Sequence, residues 1–439
     1  MTTTNPHIMT VALLALGVVV ACSRPSAGPD LPPEPPSEGE VAPFEEVWSV
    51  TLDAPDGYVA STIQPIPLDG GERYALLLAT PTRNTLYHVD PADGTVLDSF
   101  DVRDEDMGYG KLASYRAAPY LDGESAVLSI DNWPLRIDLR DGTVEWVVRG
   151  NYPMADLGGG RLISGESAGF GERLGIGVID AATGDVERVV HPFPASHPST
   201  RGKGGYEGAL VDERDPDRFL ATLHYIDADS IAYTLGLRFL YDLRADSIVW
   251  SDTVPTRGAP IAMHEPVLYD GVVVQAEFDT VRGYALGTGE VLWTYNAWYL
   301  PVEPGVDVVN LTADGDHFVA TGPVLDAATG RVYLASTNAY QVCLDAATGR
   351  EVWRGGKGQG SWLQTFGLVG GGMLSTTTSP GPHLDILSKH TGEVLGRIEA
   401  SPGALFDSAP YYDEATGLLI VSDGVTVRGL RPRFEVPGA

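Results

Sequence analysis

Short runs in which apolar and polar residues alternate cover almost the whole chain beyond residue 43. Thr85-Leu86-Tyr87-His88-Val89, Leu235-Gly236-Leu237-Arg238-Phe239 and Glu290-Val291-Leu292-Trp293 are examples. A two-residue period puts successive side chains on opposite faces of a pleated strand, so each run predicts a strand with a buried face. Asp, Thr and Gly cluster between the runs, and two runs around such a turn predict a β-hairpin. No long stretch after the N-terminal apolar run has the period of a helix, so the folded part is predicted to be all-β.

The turns carry a repeated phrase, fullest as Leu344-Asp345-Ala346-Ala347-Thr348-Gly349-Arg350-Glu351-Val352-Trp353. Counted from the place of Asp345, copies begin at residues 90, 138, 180, 242, 285, 345 and 388. A mean spacing of about 50 residues is a propeller-blade length rather than a helical-repeat length. The Gly supplies the positive φ of the turn, and the Asp and Thr side chains can bond nearby backbone N–H groups. Trp recurs eight places after the marker, at Trp146, Trp250, Trp293 and Trp353. A large flat side chain at one place in many units predicts packing between neighbouring blades, not a site. Two more strands precede each hairpin. In the best copy they are His317–Ala320 and Val332–Ala335, joined by the turn Asp326-Ala327-Ala328-Thr329-Gly330.

Four antiparallel strands per unit make a propeller blade. The C-terminal segment offers three strands only, around Ala409–Tyr412, Leu418–Val421 and Val425–Arg428. At the other end Glu45–Val50, with Trp48, has the character of an outer strand but no hairpin before it. Pairing the two ends gives an eighth blade and removes the open edge of the ring. The expectation is therefore an eight-bladed β-propeller over residues 44–439, with seven blades as the alternative.

The first residues read as a secretory signal. Met9 to Ala21 is a 13-residue apolar run, about 20 Å long as a helix against roughly 30 Å of hydrocarbon core. It ends Val19-Val20-Ala21-Cys22, which resembles a bacterial lipobox, although residues 1–8 contain neither Lys nor Arg. Residues 1–21 are thus expected to be a lipoprotein signal peptide and Cys22 the acylated residue, the alternative being a chance Cys after an ordinary signal. Residues 22–43, rich in Pro and Glu, read as a flexible lipid-anchored tether. Only Cys343 remains besides Cys22, so a lipidated chain has no intramolecular disulfide, and Cys343 reads as a buried small hydrophobe.

Charge narrows the function classes. With 29 basic and 59 acidic residues the formal net charge is −30, which argues against nucleic acid and against electrostatic binding to anionic headgroups. The nine His residues show no zinc spacing, and His191 and His197 read as solvated loop residues. Asp104-Glu105-Asp106 reads as an acidic surface loop rather than a cation site. Gly165-Glu166-Ser167-Ala168-Gly169 matches a nucleophile elbow, but no helix follows it, so it reads as a turn. The Gly-rich stretches at 202–208 and 355–360 lack a P-loop ending. No catalytic residue, metal site or cofactor is assigned.

The Asp-Ala-Ala-Thr-Gly-x-x-x-Trp phrase resembles the tryptophan-docking repeat of the pyrroloquinoline-quinone (PQQ) β-propeller superfamily. Asp345–Trp353 matches in full, and Asp138–Trp146 keeps the Asp, Gly and Trp. Others depart: Asp98 and Arg188 stand where the Trp belongs, and Asp246 stands where the Gly belongs. A lipid-anchored chain of this length that is one propeller is similar to the BamB lipoprotein family. That similarity implies a non-enzymatic scaffold for protein–protein interaction, facing the periplasm from the outer membrane and working with the β-barrel assembly machinery. The superfamily's quinoprotein dehydrogenases hold quinone and calcium, many beside a pair of adjacent cysteines, and this chain has no Cys-Cys pair. A small-molecule or glycan-binding propeller is the alternative, and a PQQ-dependent dehydrogenase the remote one.

Propellers bind through loops at one face. The expected binding segments are 103–110, 191–206, 296–306 and 357–364, and the candidate anchors are Arg201, Lys203, Tyr206, Trp298, Tyr299, Lys357, Gln359 and Trp362. The alternative is that these aromatics fold back and cap the central funnel.

Overall fold

The computed structural model describes residues 43–439 apart from 54–60, 63–64, 80–82, 103–119, 131–132, 150, 167–174, 194–202, 213, 227–232, 256–264, 278–279, 296–321, 336–340, 356–361, 380–382, 403, 405, 407–409, 425 and 437–439. The compact unit that these residues form begins at Pro43. Cys22, the signal and the tether lie outside the described residues, as do Asp104–Asp106, His197, Arg201, Trp298, Tyr299, Lys357 and Gln359. No described helix is long and apolar enough to cross a membrane.

The described strands form eight antiparallel sheets arranged as the blades of a ring. Blade 1 spans residues 61–101, blade 2 120–147, blade 3 151–190, blade 4 203–255, blade 5 267–295, blade 6 324–355 and blade 7 362–399. Blade 8 combines both ends of the chain: Phe44–Thr51 pairs with Thr426–Pro432, followed inward by Leu418–Ser422 and Tyr411–Asp413. Trp48 faces Gly429 across that pairing and is 6% exposed. One expected strand is corrected. The strand paired with Arg331–Ala335 is Val324–Asp326, directly before the turn, and His317–Ala320 lies outside the described residues.

The repeated phrase forms the turn between the third and outer strand of blades 1–7. Its Gly takes a positive φ at Gly94, Gly142, Gly184, Gly289, Gly349 and Gly392, and Asp246 takes φ 53° in the copy that begins at Asp242. Asp345 shows the rest of the turn chemistry: its Oδ1 accepts from Thr348 N at 3.0 Å and Thr348 Oγ1 at 2.7 Å, while its carbonyl accepts from Gly349 N at 2.8 Å. Those bonds, the Thr348 hydroxyl first, hold the Asp345 carboxyl below the usual carboxylate range. A register shift follows in the outer strand of every blade, such as that between Gly283 and Tyr284. Such bulges re-aim the side chains that follow them.

That re-aimed residue docks the blade on its neighbour. Trp Nε1 donates to the carbonyl one place after the next blade's marker. The pairs are Trp48 to Pro91 (2.9 Å), Trp146 to Ala181 (3.2 Å), Trp250 to Leu286 (2.7 Å), Trp293 to Ala346 (3.2 Å) and Trp353 to Lys389 (3.0 Å). The indole lies on the turn glycine of that neighbour, so a Cβ added at Gly94, Gly184, Gly289 or Gly392 would come within 2.5–2.7 Å of it. The glycine is needed twice, for its φ and for its bare surface. In blades 1 and 3, which lack the Trp, another donor answers the same carbonyl. His88 Nε2 lies 2.6 Å from Leu139 O, and a carbonyl cannot donate, so this nitrogen carries the proton. Arg188 Nη1 reaches Leu243 O at 2.7 Å.

Eight buried apolar clusters lie between the blades, one at each seam. The core of a propeller is thus a set of layers, each buried only when a neighbour is present. The seam between blades 7 and 8 is completed by the terminal strand. Phe44 packs on Gly396 and edge-on to Phe434 at 5.5 Å, and Pro43 O accepts from Arg433 N at 2.8 Å.

Candidate partner-binding face

Alternating strand directions give the ring two unlike faces. The turns that join first to second and third to outer strands lie on one face and are short. The second-to-third loops and the connections from each outer strand to the next blade leave on the other. The strand ends that flank residues 103–119, 194–202, 296–321 and 356–361 all open onto this second, connection face. The chain enters the ring at Pro43 on the opposite, turn face.

Blade 4 stands above the connection face. Its second strand, Asp215–Ile226, has 12 residues, against 5 to 7 for the second strands of the other blades. Ile226 lies three residues beyond Leu223, the register position at which Glu277 ends the equivalent strand of blade 5. At roughly 3.3 Å per residue the sheet rises about 10 Å higher there. Lys203 and Tyr206 belong to its first strand, opposite Ile226 and Leu223. Trp362 begins the first strand of blade 7, opposite Ser379, so it sits at the same face but on a different blade. The three candidate anchors within the described residues thus lie on two different blades.

Below the raised sheet lies a charged constellation that the sequence reading did not single out. Arg238, on the third strand of blade 4, is 1% exposed, and its guanidinium carbon sits 3.6 Å above the Tyr284 ring of blade 5. It donates to Glu277, which is 3% exposed, to Gln275 Oε1 at 3.2 Å and to Asp252 Oδ2 at 2.6 Å. Glu277 also accepts from the Tyr284 hydroxyl and, at 2.5 Å, from Arg282 Nη1. Burial and then the Glu277 charge raise the Tyr284 pKa, so the phenol stays a donor. Burial opposes the charge on Arg238, but Glu277, Tyr284 and Asp252 outweigh it and hold the guanidinium protonated. Two cations and two carboxylates balance, which makes the group a charge-neutral internal strut in which only Arg238 Nε, buried, lacks a hydrogen-bond partner. The available signal was a charged residue inside the apolar run Leu235–Phe239. The same register position carries Leu86 in blade 1 and Leu384 in blade 7.

Chemistry elsewhere is sparse. Burial pushes the Cys343 thiol up to about 12, which leaves it a poor nucleophile. Calcium would need several converging oxygen ligands. Among the described residues no three His, Cys, Asp or Glu side chains converge in that way.

Residues 279–405 match the model of a family described as outer membrane protein assembly factor BamB. No curated protein sequence matches the chain. The fold is similar to that of BamB from Moraxella catarrhalis, with a TM-score of 0.53 and 14% identity, covering 88% of this chain and 99% of that one. A quinohemoprotein alcohol dehydrogenase from Comamonas testosteroni aligns with a TM-score of 0.60 and 14% identity, covering 90% of this chain and 77% of that one. The computationally designed Ika8 protein aligns with a TM-score of 0.58 and 12% identity, covering 88% and 99%. The same ring underlies a BamB, a dehydrogenase and a designed protein, so it specifies no chemistry by itself.

Proposed function

We propose, from the chain's place in the PQQ-like β-propeller superfamily, that it is a non-enzymatic scaffold of the bacterial envelope that captures a protein partner on its connection face. The observation that carries this reading is the division of the ring. Every interblade connection opens onto one face, blade 4 rises above it, and the chain enters on the other. In this reading Cys22 is the lipid anchor and residues 22–43 are the Pro/Glu-rich tether. The family match over residues 279–405 favours a partner in outer-membrane protein assembly.

The test is capture of partners from solubilised envelope by the full-length tagged chain. Stoichiometric recovery of β-barrel assembly components is expected. Trp298→Ala with Trp362→Ala should abolish that recovery while leaving Tm nearly unchanged. Absence of those components with the unaltered chain overturns the reading, and a large Tm drop in the variant places the aromatics in the core instead. Stabilisation by PQQ with calcium, accompanied by dye reduction, would move the protein to the enzymes of the superfamily.

A further inference from the structure

Blade 4 is joined to both neighbours by charge. Among the described residues, the ion pairs on its blade 3 side are Arg161–Asp217 at 3.5 Å and Arg188–Asp246. Those on its blade 5 side are Arg214–Asp270 at 3.1 Å and Arg238–Glu277. The other described pair between blades is Lys389–Asp326, at 2.9 Å, between blades 7 and 6.

At the seam between blades 3 and 4, charge replaces the repeat's own contact. Arg188 stands in the place of the docking Trp, and Asp246 in the place of the glycine beneath it. Arg188 Nη1 satisfies Leu243 O, the carbonyl that an indole N–H satisfies elsewhere. Its Nη2 donates to Asp246 Oδ1, which also accepts from the Tyr241 hydroxyl at 2.5 Å. Asp is among the few residues that tolerate the φ of 53° found there. The lost indole packing is matched by an aromatic layer of Phe193, Phe219, Phe239 and Tyr241 deeper in the seam.

Neither residue can revert to the repeat alone. A Cβ at Gly289 would sit 2.7 Å from Trp250, so an indole at 188 would meet the Cβ that Asp246 already has. Gly at 246 would instead leave the Arg188 guanidinium without its anion. We infer that Arg188 and Asp246 are a single exchangeable unit, and that blade 4 is ionically mounted, its seating on blade 3 responding to salt. The side chains are 41% and 63% exposed, so mobile ions reach the pair. This inference rests on the ring alone and holds or fails independently of the proposed partner.

A double-mutant cycle tests it. Arg188→Trp and Asp246→Gly should each lower the Tm, whereas the double variant should recover most of the loss. Should Arg188→Trp fail to fold, Arg188→Met with and without Asp246→Asn closes an equivalent cycle for the charge. Hydrogen exchange supplies the second readout, between about 0.05 M and about 1 M salt, where the Debye length shrinks to about 3 Å. Exchange in Val186–Val190 should rise severalfold in the unaltered chain and far less in the Trp/Gly double variant, which keeps only Arg161–Asp217 at that seam, with Val291–Tyr295 unmoved in both. Additive single effects, or equal salt responses at both strands, would overturn the inference.

Discussion

A single atom decides how the blades meet. The docking indole lies against a glycine that has no Cβ, and the same glycine turns the chain through a positive φ. Two effects therefore add at Gly289 but not at Gly123, which has φ 63° and open space around its absent Cβ. Gly289→Ala should cost about 2–4 kcal/mol, from overpacking against Trp250 plus backbone strain. Gly123→Ala should cost about 1 kcal/mol, from strain alone. Denaturant midpoints compare the two directly, and equal losses would mean that the indole gives way. The repeat made the glycines and Trp146, Trp250, Trp293 and Trp353 visible in the sequence, because identical turns demand identical residues. What it hid was the purpose of the contact. The carbonyl after the marker must be answered, and His88 and Arg188 answer it from residues of quite different chemistry. Only spatial neighbours show that equivalence, since the donor and carbonyl lie 51 and 55 residues apart.

At the level of strands and seams, apolar layers do most of the joining, and the seam between blades 4 and 5 adds a buried ion pair to them. Its inner part is the cluster of Leu220, Leu240, Val273 and Tyr284, but toward the connection face it becomes the Arg238–Glu277 strut. Removing one member strands the others in a place without water. Arg238→Leu, which restores the residue type of Leu86, should therefore cost about 3–5 kcal/mol despite being closer to the repeat. Arg238→Leu combined with Glu277→Leu should regain much of that, because Leu78 and Leu223 show the second position to be apolar in other blades. Chemical unfolding of the three variants is the measurement, and a harmless single substitution would show the strut to be dispensable. The raised sheet of blade 4 was only half legible. Lys203 and Tyr206 stood out as loop candidates, yet they belong to a ten-residue strand. Glycines at 204, 205 and 208 break the alternation there, and pairing with Asp215–Ile226 overrides that weak local preference.

For the molecule as a whole, closure is the controlling event. Each apolar layer is buried by two blades, so an open ring exposes two layers at once, and the strand Phe44–Thr51 completes both the seam with blade 7 and, through Trp48, the seam with blade 1. Deleting residues 44–52 should abolish cooperative unfolding of the entire domain. Circular dichroism melting would show it, and a retained sharp transition would mean that blade 8 is an appendage. The alternating pattern, the spacing of the phrase and the unmatched strands at the two ends determined the all-β class, the four-stranded unit and the eight-bladed closure. They could do so because a strand's period and a turn's φ are local demands that residue type alone expresses. Tertiary structure decided which side chains answer each other across a seam: Arg188 with Asp246, His88 with Leu139, Arg238 with Glu277. It also decided that blade 4 rises above the face it shares. Those are contacts between distant segments brought together by the ring, and their chemistry becomes defined only when the neighbouring blade has excluded the water between them.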